Sequence, residues 1–288
     1  MRELPISRIT AADFDKALGP DGGAWRQHTE MSDKQVDYDR IAPGYDRRYI
    51  HGSGQRGIAE KLQDLARGKE RILEVGCGTG HWLAQLRSAS GMLFGLDLSA
   101  GMLAQAQAQG EPLHLARGRA CRLPFGDACA DLVYCVNAIH HFQRRRHFIF
   151  EARRVLRSGG SLVVVGSDPR AHRHRWYIYD YFPGTYETDL DRFPSWGMVS
   201  DWMIEAGFEQ IEWQLVERIE DHKLDRGIFA DPFLQKDACS QLALLTDEAY
   251  AAGLRRIATA VAEAEAKGAS ITFATDLSQA MLVGQVGQ

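Results

Sequence analysis

The residues with the most chemical content lie in "RILEVGCGTG", Arg71 to Gly80, and in "GLDLSAGML", which starts at Gly95. A short apolar run carries Glu74 near its end, and Gly76, Gly78 and Gly80 then fall at alternate positions around Cys77. Glycines after a strand let the backbone approach a ligand closely, because no Cβ intervenes. A helix that follows offers free N–H groups and the positive end of its dipole, which suits a phosphate or a carboxylate. Asp97 ends the next apolar run, so it would sit beside the turn and accept hydrogen bonds from both hydroxyls of a ribose. These residues ask for a ligand that carries a ribose and an anionic or polar part.

The spacing narrows the ligand further. A dinucleotide fingerprint is G-x-G-x-x-G, and here His81 stands where the third glycine should fall. The lysine of a phosphate-binding G-x-x-x-x-G-K-[ST] loop is absent. Glu74 would repel a pyrophosphate but attract an amino group.

Other candidates have two readings each. His140 and His141 follow the fourth strand, at the carboxyl edge where open α/β sheets bind ligands. A histidine there can act as general base toward a hydroxyl or amine, or can simply pack the next helix. Tyr38 and Tyr45 are seven apart on one helical face, so packing explains them as well as closure over a ligand does. Met102 packs on the ligand or only in the core. Residues 168–196 are dense in aromatics, among them Trp176, Tyr177 and Tyr181, which would line a substrate pocket, pack a lid onto the sheet, or both. "AHRHRW", Ala171 to Trp176, holds two histidines among arginines without Cys or carboxylate partners; it reads as a solvated basic loop, and no metal is expected.

The elements that would position these residues alternate. Short apolar runs at Arg71–Val75, Met92–Asp97, Leu113–Ala116, Asp131–Val136 and Ser161–Gly166 read as parallel strands buried on both faces. Helical stretches at Gly80–Ser88, Ala100–Gln109 and His147–Arg157 lie between them, and a mixed helical stretch from Ser32 to Leu65 precedes them. The pattern implies a doubly wound α/β sheet. A helix near Trp196–Ala206, a strand near Glu209–Val216, a largely helical stretch over 220–269 and a last strand at Ile271–Leu277 complete the expectation. Thr246 before Asp247 and Glu248 is an N-cap with an acidic first turn; Tyr250, Leu254, Ile257 and Val261 then share one face.

Bulk properties bound the class. The 288 residues carry a net charge of −4, with 45% hydrophobic and 25% charged residues. That balance speaks against a general nucleic-acid or anionic-membrane binder. No apolar run reaches the roughly 18 residues of a membrane span, and the N-terminus lacks a secretory apolar core. Five cysteines with no C-x-x-C pairing argue against a disulfide framework or structural zinc and fit a reducing cytoplasm.

"ILEVGCGTG" closely resembles the first motif of the class I S-adenosylmethionine-dependent methyltransferases, and is most similar to their broad small-molecule (type 11, UbiE-like) group. "YDRIAPGYD" (Tyr38–Asp46) resembles that family's N-terminal helix motif, "RLPFGDACADLVYCVNAIHHF" (Arg122–Phe142) its third-to-fourth strand region, and "EARRVLRSGGSLVVV" (Glu151–Val165) its following helix and fifth strand. The resemblance spans Tyr38 to Val216. It implies a Rossmann-like seven-stranded sandwich with the seventh strand antiparallel beside the fifth, and S-adenosylmethionine as cofactor. It places Glu74, Gly76, Cys77, Gly78 and Gly80 around the methionine part. Asp97 and Leu98 fall at the ribose, with Met102, Asn137, Tyr38 and Tyr45 nearby. Two positions depart from the family pattern, and the first is Ser158, where proline is usual. Arg119 stands where an acid usually accepts from the adenine amino group, and a guanidinium only donates. Either the backbone at Ala120 and Cys121 then reads the adenine, or the adenine pocket is altered.

The expected organisation is an arm over 1–31, a methyltransferase core over 32–219 with a lid segment at 168–196, a helical cap insertion over 220–269, and a final strand and tail over 270–288. The expected function is methyl transfer to a small aromatic or partly apolar molecule, through an oxygen, nitrogen or carbon nucleophile, with His141 or His140 as base and Trp176, Tyr177 and Tyr181 against the substrate. No nucleic-acid or membrane partner is expected, and a homo-oligomer stays open. The alternatives are a protein of the same fold that binds the cofactor without methylating, and a nicotinamide oxidoreductase.

Overall fold

The computed structural model describes residues 36–46, 56–88, 91–109, 113–170 and 175–288. The arm over 1–31 and the two histidines His172 and His174 lie outside the described residues.

In chain order, the first element is a one-turn helix α1 (Tyr38–Ile41), continued by a 3-10 turn at Ala42–Gly44. Then come α2 (Arg56–Ala66), β1 (Arg71–Val75), α3 (His81–Gln85), β2 (Met92–Asp97), α4 (Ala100–Ala108), β3 (His114–Arg117) and β4 (Ala130–Val136). A 3-10 turn at Ile139–His141 leads into α5 (Arg145–Val155) and β5 (Leu156–Gly166). The two-residue β6 (Arg175–Trp176), α6 (Tyr177–Tyr181), α7 (Thr185–Arg192) and α8 (Trp196–Glu205) precede the long β7 (Phe208–Leu224). Two 3-10 turns, α9 (Ser240–Ala243) and α10 (Asp247–Ala266) separate it from β8 (Thr272–Val286).

The sheet runs β3-β2-β1-β4-β5-β8, with β7 on the far edge of β8 and β6 beside β8 beyond the end of β5. The first five strands are parallel, and β8 is antiparallel to both β5 and β7. Every residue of β4 is buried, as a continuous apolar strand covered on both faces should be. Leu73, Val75 and Val133 face one apolar cluster under α5 and α8, while Ile72, Leu132 and Tyr134 face the other, under α2 and α3. This period-two split is what a two-sided sheet requires.

Two expectations are corrected here. The last strand does not end at Leu277; it continues to Val286, and the part that pairs with β5 is Ala280–Gln285. The strand before it continues eight residues past Val216, to Leu224, so the largely helical 220–269 segment begins with the end of that strand. The β7 and β8 partners from Glu217–Gln279 to Leu224–Thr272 form an antiparallel ribbon that carries α9 and α10 at its far end. There a third apolar cluster gathers Trp176, Tyr177, Ile178 and Phe182 of the 175–182 segment with Leu242, Ile257, Val261 and Phe273. The lid segment and the insertion therefore share one core. Thr246 caps α10 by accepting from the Ala249 N–H, and Tyr250 and Leu254 pack beside the buried Ile257 and Val261.

Candidate active site

The glycine turn grows directly out of the sheet register. Gly76 N donates to Leu96 O at 2.7 Å and Cys77 N to the same oxygen at 3.1 Å, which carries the β1–β2 ladder past the end of β1. Gly76, Gly78 and Gly80 all take positive φ, a region that side-chain-bearing residues avoid. A Cβ on Gly78 would meet nothing within 4 Å, so its backbone faces open space. Gly80 differs. It precedes the first turn of α3 and packs toward Ala106 and Leu113, away from the opening.

Asp97 closes the loop between turn and strand. Its Oδ2 accepts from Gly78 N at 2.8 Å and its Oδ1 from Ser99 N at 2.9 Å. Burial pushes this carboxyl upward against those hydrogen bonds. Glu74 lies fully buried behind the turn. Tyr134 donates to its Oε2 at 3.1 Å, while Oε1 has no hydrogen-bond partner among the described residues. Burial drives the Glu74 carboxyl well above the usual range, and it raises the neighbouring Cys77 thiol as well.

Both acids border one cavity of about 330 Å³. Its near wall includes Gly76, Cys77, Gly78, Leu98, Met102, Ala120, Cys121 and Asn137. Asn137 holds a positive φ at the end of β4, an uncommon conformation for a residue with a side chain. Arg119 also borders the cavity, and its Nη1 donates to Gln143 Oε1 at 2.7 Å. The far wall comes from the segments after β5: Trp176, Tyr179, Phe193, Phe233, Cys239, Ser240 and Gln241, with Ile219 and Leu277 of the ribbon.

Residues 36–46 form a third side. Asp39 Oδ1 accepts from Ser99 Oγ at 2.6 Å and from Gly101 N at 2.7 Å, and Thr79 Oγ1 donates to Asp46 Oδ1 at 2.5 Å. Hydrogen bonding from Ser99 and Gly101 lowers the Asp39 carboxyl. Tyr38 and Tyr45 both border the cavity, their rings edge to face at 6.0 Å.

Of the residues expected at a site, Tyr38, Tyr45, Glu74, Gly76, Cys77, Gly78, Asp97, Leu98, Met102, Ala120, Cys121, Asn137, His140, His141 and Trp176 meet around this cavity. Gly80, Tyr177 and Tyr181 do not. Tyr177 is buried in the cap core and donates to Asp231 Oδ2 at 2.9 Å; Tyr181 leans on Phe273. The helical repeat turns these two rings inward and leaves Tyr179, of the same aromatic run, on the cavity face.

His140 and His141 stand at the centre. His140 stacks on Phe193 at 3.8 Å, and burial, reinforced by its neighbours His141, Arg192 and Arg145, holds it well below the usual histidine range. His141 Nε2 lies 2.6 Å from Tyr38 Oη, and its Nδ1 lies 3.1 Å from Arg192 Nη2. Arg192 is buried, paired with Asp189 at 3.4 Å and donating to Ser240 Oγ at 3.3 Å. Asp189 in turn accepts from Tyr179 at 2.9 Å and Gln241 at 2.6 Å. Burial pushes Asp189 upward against these partners. His141, expected as a general base, thus has one ring nitrogen on a phenol oxygen and the other on a guanidinium.

The site's fit to an adenosyl sulfonium rests on three local facts. Gly78 leaves room at the backbone, Asp97 offers lone pairs at the strand end, and Glu74 Oε1 is a buried acceptor awaiting a donor such as an ammonium.

Known proteins resemble this chain in sequence and in fold. Residues 73–164 match the family model described as methyltransferase domain. Demethylmenaquinone methyltransferase of Lactiplantibacillus plantarum is 29% identical over 213 residues, covering 62% of this chain and 88% of that protein. Malonyl-[acyl-carrier protein] O-methyltransferase of Pectobacterium atrosepticum is 34% identical over 142 residues, 48% of this chain and 55% of its own length. Among solved structures, a protein from an antibiotic biosynthesis pathway of Anabaena variabilis superposes with TM-score 0.59 at 20% identity, over 80% of this chain and 96% of that one. Phosphoethanolamine N-methyltransferase 2 of Haemonchus contortus, in complex with S-adenosyl-L-methionine, gives 0.53 at 16% identity, over 87% and 57%. These structures share the fold.

Proposed function

Because this chain is a class I S-adenosylmethionine-dependent methyltransferase, we propose that it methylates a small, partly apolar molecule held against the aromatic wall of the cap. One observation carries this reading. The glycine turn with Asp97 and the rings of Trp176, Tyr179, Phe193 and Phe233 open on the same cavity of about 330 Å³. A cavity of that size, roofed by rings and reached past a few polar groups, suits a metabolite rather than a polymer. The net charge of −4 supports this against a nucleic-acid substrate.

Glu74 would hold the cofactor's ammonium, Asp97 its ribose hydroxyls, and the backbone at Ala120 and Cys121 its base. When bound, the cofactor supplies a methyl carbon on a sulfonium, open to in-line attack by a nucleophile. The chain's own residues do the rest. The rings of the far wall align the acceptor and exclude water, and alignment alone can supply several kcal/mol, up to roughly 7–11 in ideal cases. The segment 36–46 closes the third side through Asp39 and Asp46. The 168–196 segment and the insertion act together as one cap over the acceptor.

The test is isothermal titration with S-adenosylhomocysteine and NAD, followed by transfer of labelled methyl from S-adenosylmethionine to a panel of phenols, quinols, aromatic acids and amines. We expect heat from the adenosyl compound alone and product from at least one small aromatic acceptor. Transfer only to RNA or protein would overturn the reading of the acceptor; heat from NAD alone would overturn the cofactor assignment.

A further inference from the structure

We propose that the acceptor enters this site already ionised, as an oxygen anion such as a carboxylate or an acidic phenolate, and that His141 acts as a hydrogen-bond donor through Tyr38 rather than as the base that removes its proton. The inference rests on the methyl-transfer reading above and narrows its acceptor.

The hydrogen-bond chain fixes the protons. Arg192 can only donate, so at 3.1 Å from it His141 Nδ1 must supply a lone pair. A neutral imidazole with a bare Nδ1 carries its proton on Nε2. Nε2 therefore donates to Tyr38 Oη across 2.6 Å, and Tyr38 keeps its own hydroxyl proton. To take up a proton, His141 would have to place an N–H against the guanidinium and a second positive charge beside it. Arg192 does not move aside easily: it is 3% exposed and held by Asp189 and Ser240.

His140 supplies no substitute. Its ring lies flat on Phe193, and its basicity is reduced by the same surroundings. The charged groups against the pair include Arg192 and Arg145, with Asp189 paired to Arg192, and the nearby phenols include Tyr38 and Tyr179. Burial and Arg192 bring Arg145 down to about 10, so it stays charged at neutral pH. A centre that presents donors and guanidinium charge stabilises an anion and cannot easily make one.

The chemistry then balances without a base. The acceptor anion forms the new O–C bond with its own electron pair as the S–C bond breaks toward sulfur, and no proton is left over. A neutral alcohol would leave one proton that neither His140 nor His141 is placed to accept.

The test uses the full chain with 15N-histidine, with and without S-adenosylhomocysteine. We expect His141 to show the neutral Nε2–H tautomer from about pH 6 to about pH 8, the range over which an ordinary histidine titrates. An Nδ1–H tautomer, or a His141 that titrates across that range, overturns the proposal. Tryptophan fluorescence then follows binding of benzoate and of its neutral isostere benzamide to the S-adenosylhomocysteine complex. Benzoate should bind at least about tenfold tighter, as a charge-assisted hydrogen bond predicts. Equal binding, or no binding of benzoate, overturns it. The double variant Arg192→Gln/Asp189→Asn removes the buried ion pair as a neutral unit. It should let His141 titrate and reduce the benzoate preference by about tenfold; an unchanged preference overturns the proposal. If that variant does not fold, the two wild-type measurements decide. Failure of S-adenosylhomocysteine to bind counts against the methyl-transfer reading instead, and the tautomer measured without it still decides this one.

Discussion

Arg192 Nη2 lies 3.1 Å from His141 Nδ1, and it reaches that nitrogen from α7, a helix outside the nucleotide-binding half of the sheet. The cap thus sets the proton position on a residue of the core. The buried Arg192–Asp189 pair does not stabilise the protein simply by being a salt bridge, since desolvation offsets much of its attraction. Its structural consequence is orientation.

Asp97→Ala should remove the ribose acceptor and free Gly78 N, which Asp97 now holds at 2.8 Å. At roughly 1.5–3 kcal/mol for each hydrogen bond to a charged group, the loss of two weakens S-adenosylhomocysteine by about 100-fold or more. Isothermal titration at neutral pH reads this directly. Binding within a factor of three or so of wild type would remove Asp97 from the site.

Glu74 gives a pH signature. Its folded carboxyl titrates well above the ordinary value of 4.5, because burial disfavours the charge more than Tyr134 favours it. A raised carboxyl contributes stability that is full below the ordinary range and is lost as pH rises through its own folded value. The ligand-free protein should therefore lose stability from mildly acid to alkaline pH, and Glu74→Gln should flatten that slope. Thermal melts of both proteins over a pH series check it.

The same residue couples binding to protons. An ammonium beside Glu74 favours its charged form, so binding should release a proton wherever Glu74 is protonated in the free protein. Titration calorimetry in two buffers of different ionisation heat measures the release. A proton uptake, or no exchange at any pH, would exclude Glu74 as the ammonium partner.

Asp39→Ala should act on closure rather than on chemistry. Asp39 Oδ1 ties α1 to the first turn of α4 through Ser99 and Gly101. Without it, S-adenosylhomocysteine should dissociate several-fold faster, seen by stopped-flow fluorescence, with little change in melting temperature.

Gly253→Ala reverses a familiar rule. Alanine in a helix interior usually gains about 1 kcal/mol over glycine. Here a Cβ would stand 2.1 Å from Phe182 Cδ1 in the cap core. Overpacking of that kind costs about 1–3 kcal/mol, so the variant should lose stability. Hydrogen exchange should show the loss concentrated in α6 and α10.

The parallel half of the sheet was legible because β1, β2, β4 and β5 are short apolar runs between helices, a pattern with few other solutions. The glycine turn and Asp97 were legible for the same reason: their chemistry depends on sequence-local spacing. The C-terminal half was less so. Ser278 and Gln279 interrupt the apolar run of β8, so the strand looked finished just before Ala280, where pairing with β5 begins. In β7, bulges between Glu209 and Glu212 and between Leu215 and Glu217 break the alternation that marks a strand. Arg192 and Asp189 were invisible as site residues, because an i, i+3 charge pair reads as a solvated helix face. Only the fold turns that face inward.

The ribbon that carries the cap has a mechanical consequence. β8 is an interior strand, clasped by β5 on one side and by β7 on the other, and the same two strands run on without a break into the cap. A lid attached by a loop can swing; a lid attached by a paired double strand can only flex with the sheet. On the opposite side of the cavity, the short segment 36–46 is held apart from the sheet's own ladder, by side-chain hydrogen bonds to the turns at Thr79 and Ser99 and by Ile41 and Ala42 packed on Met102.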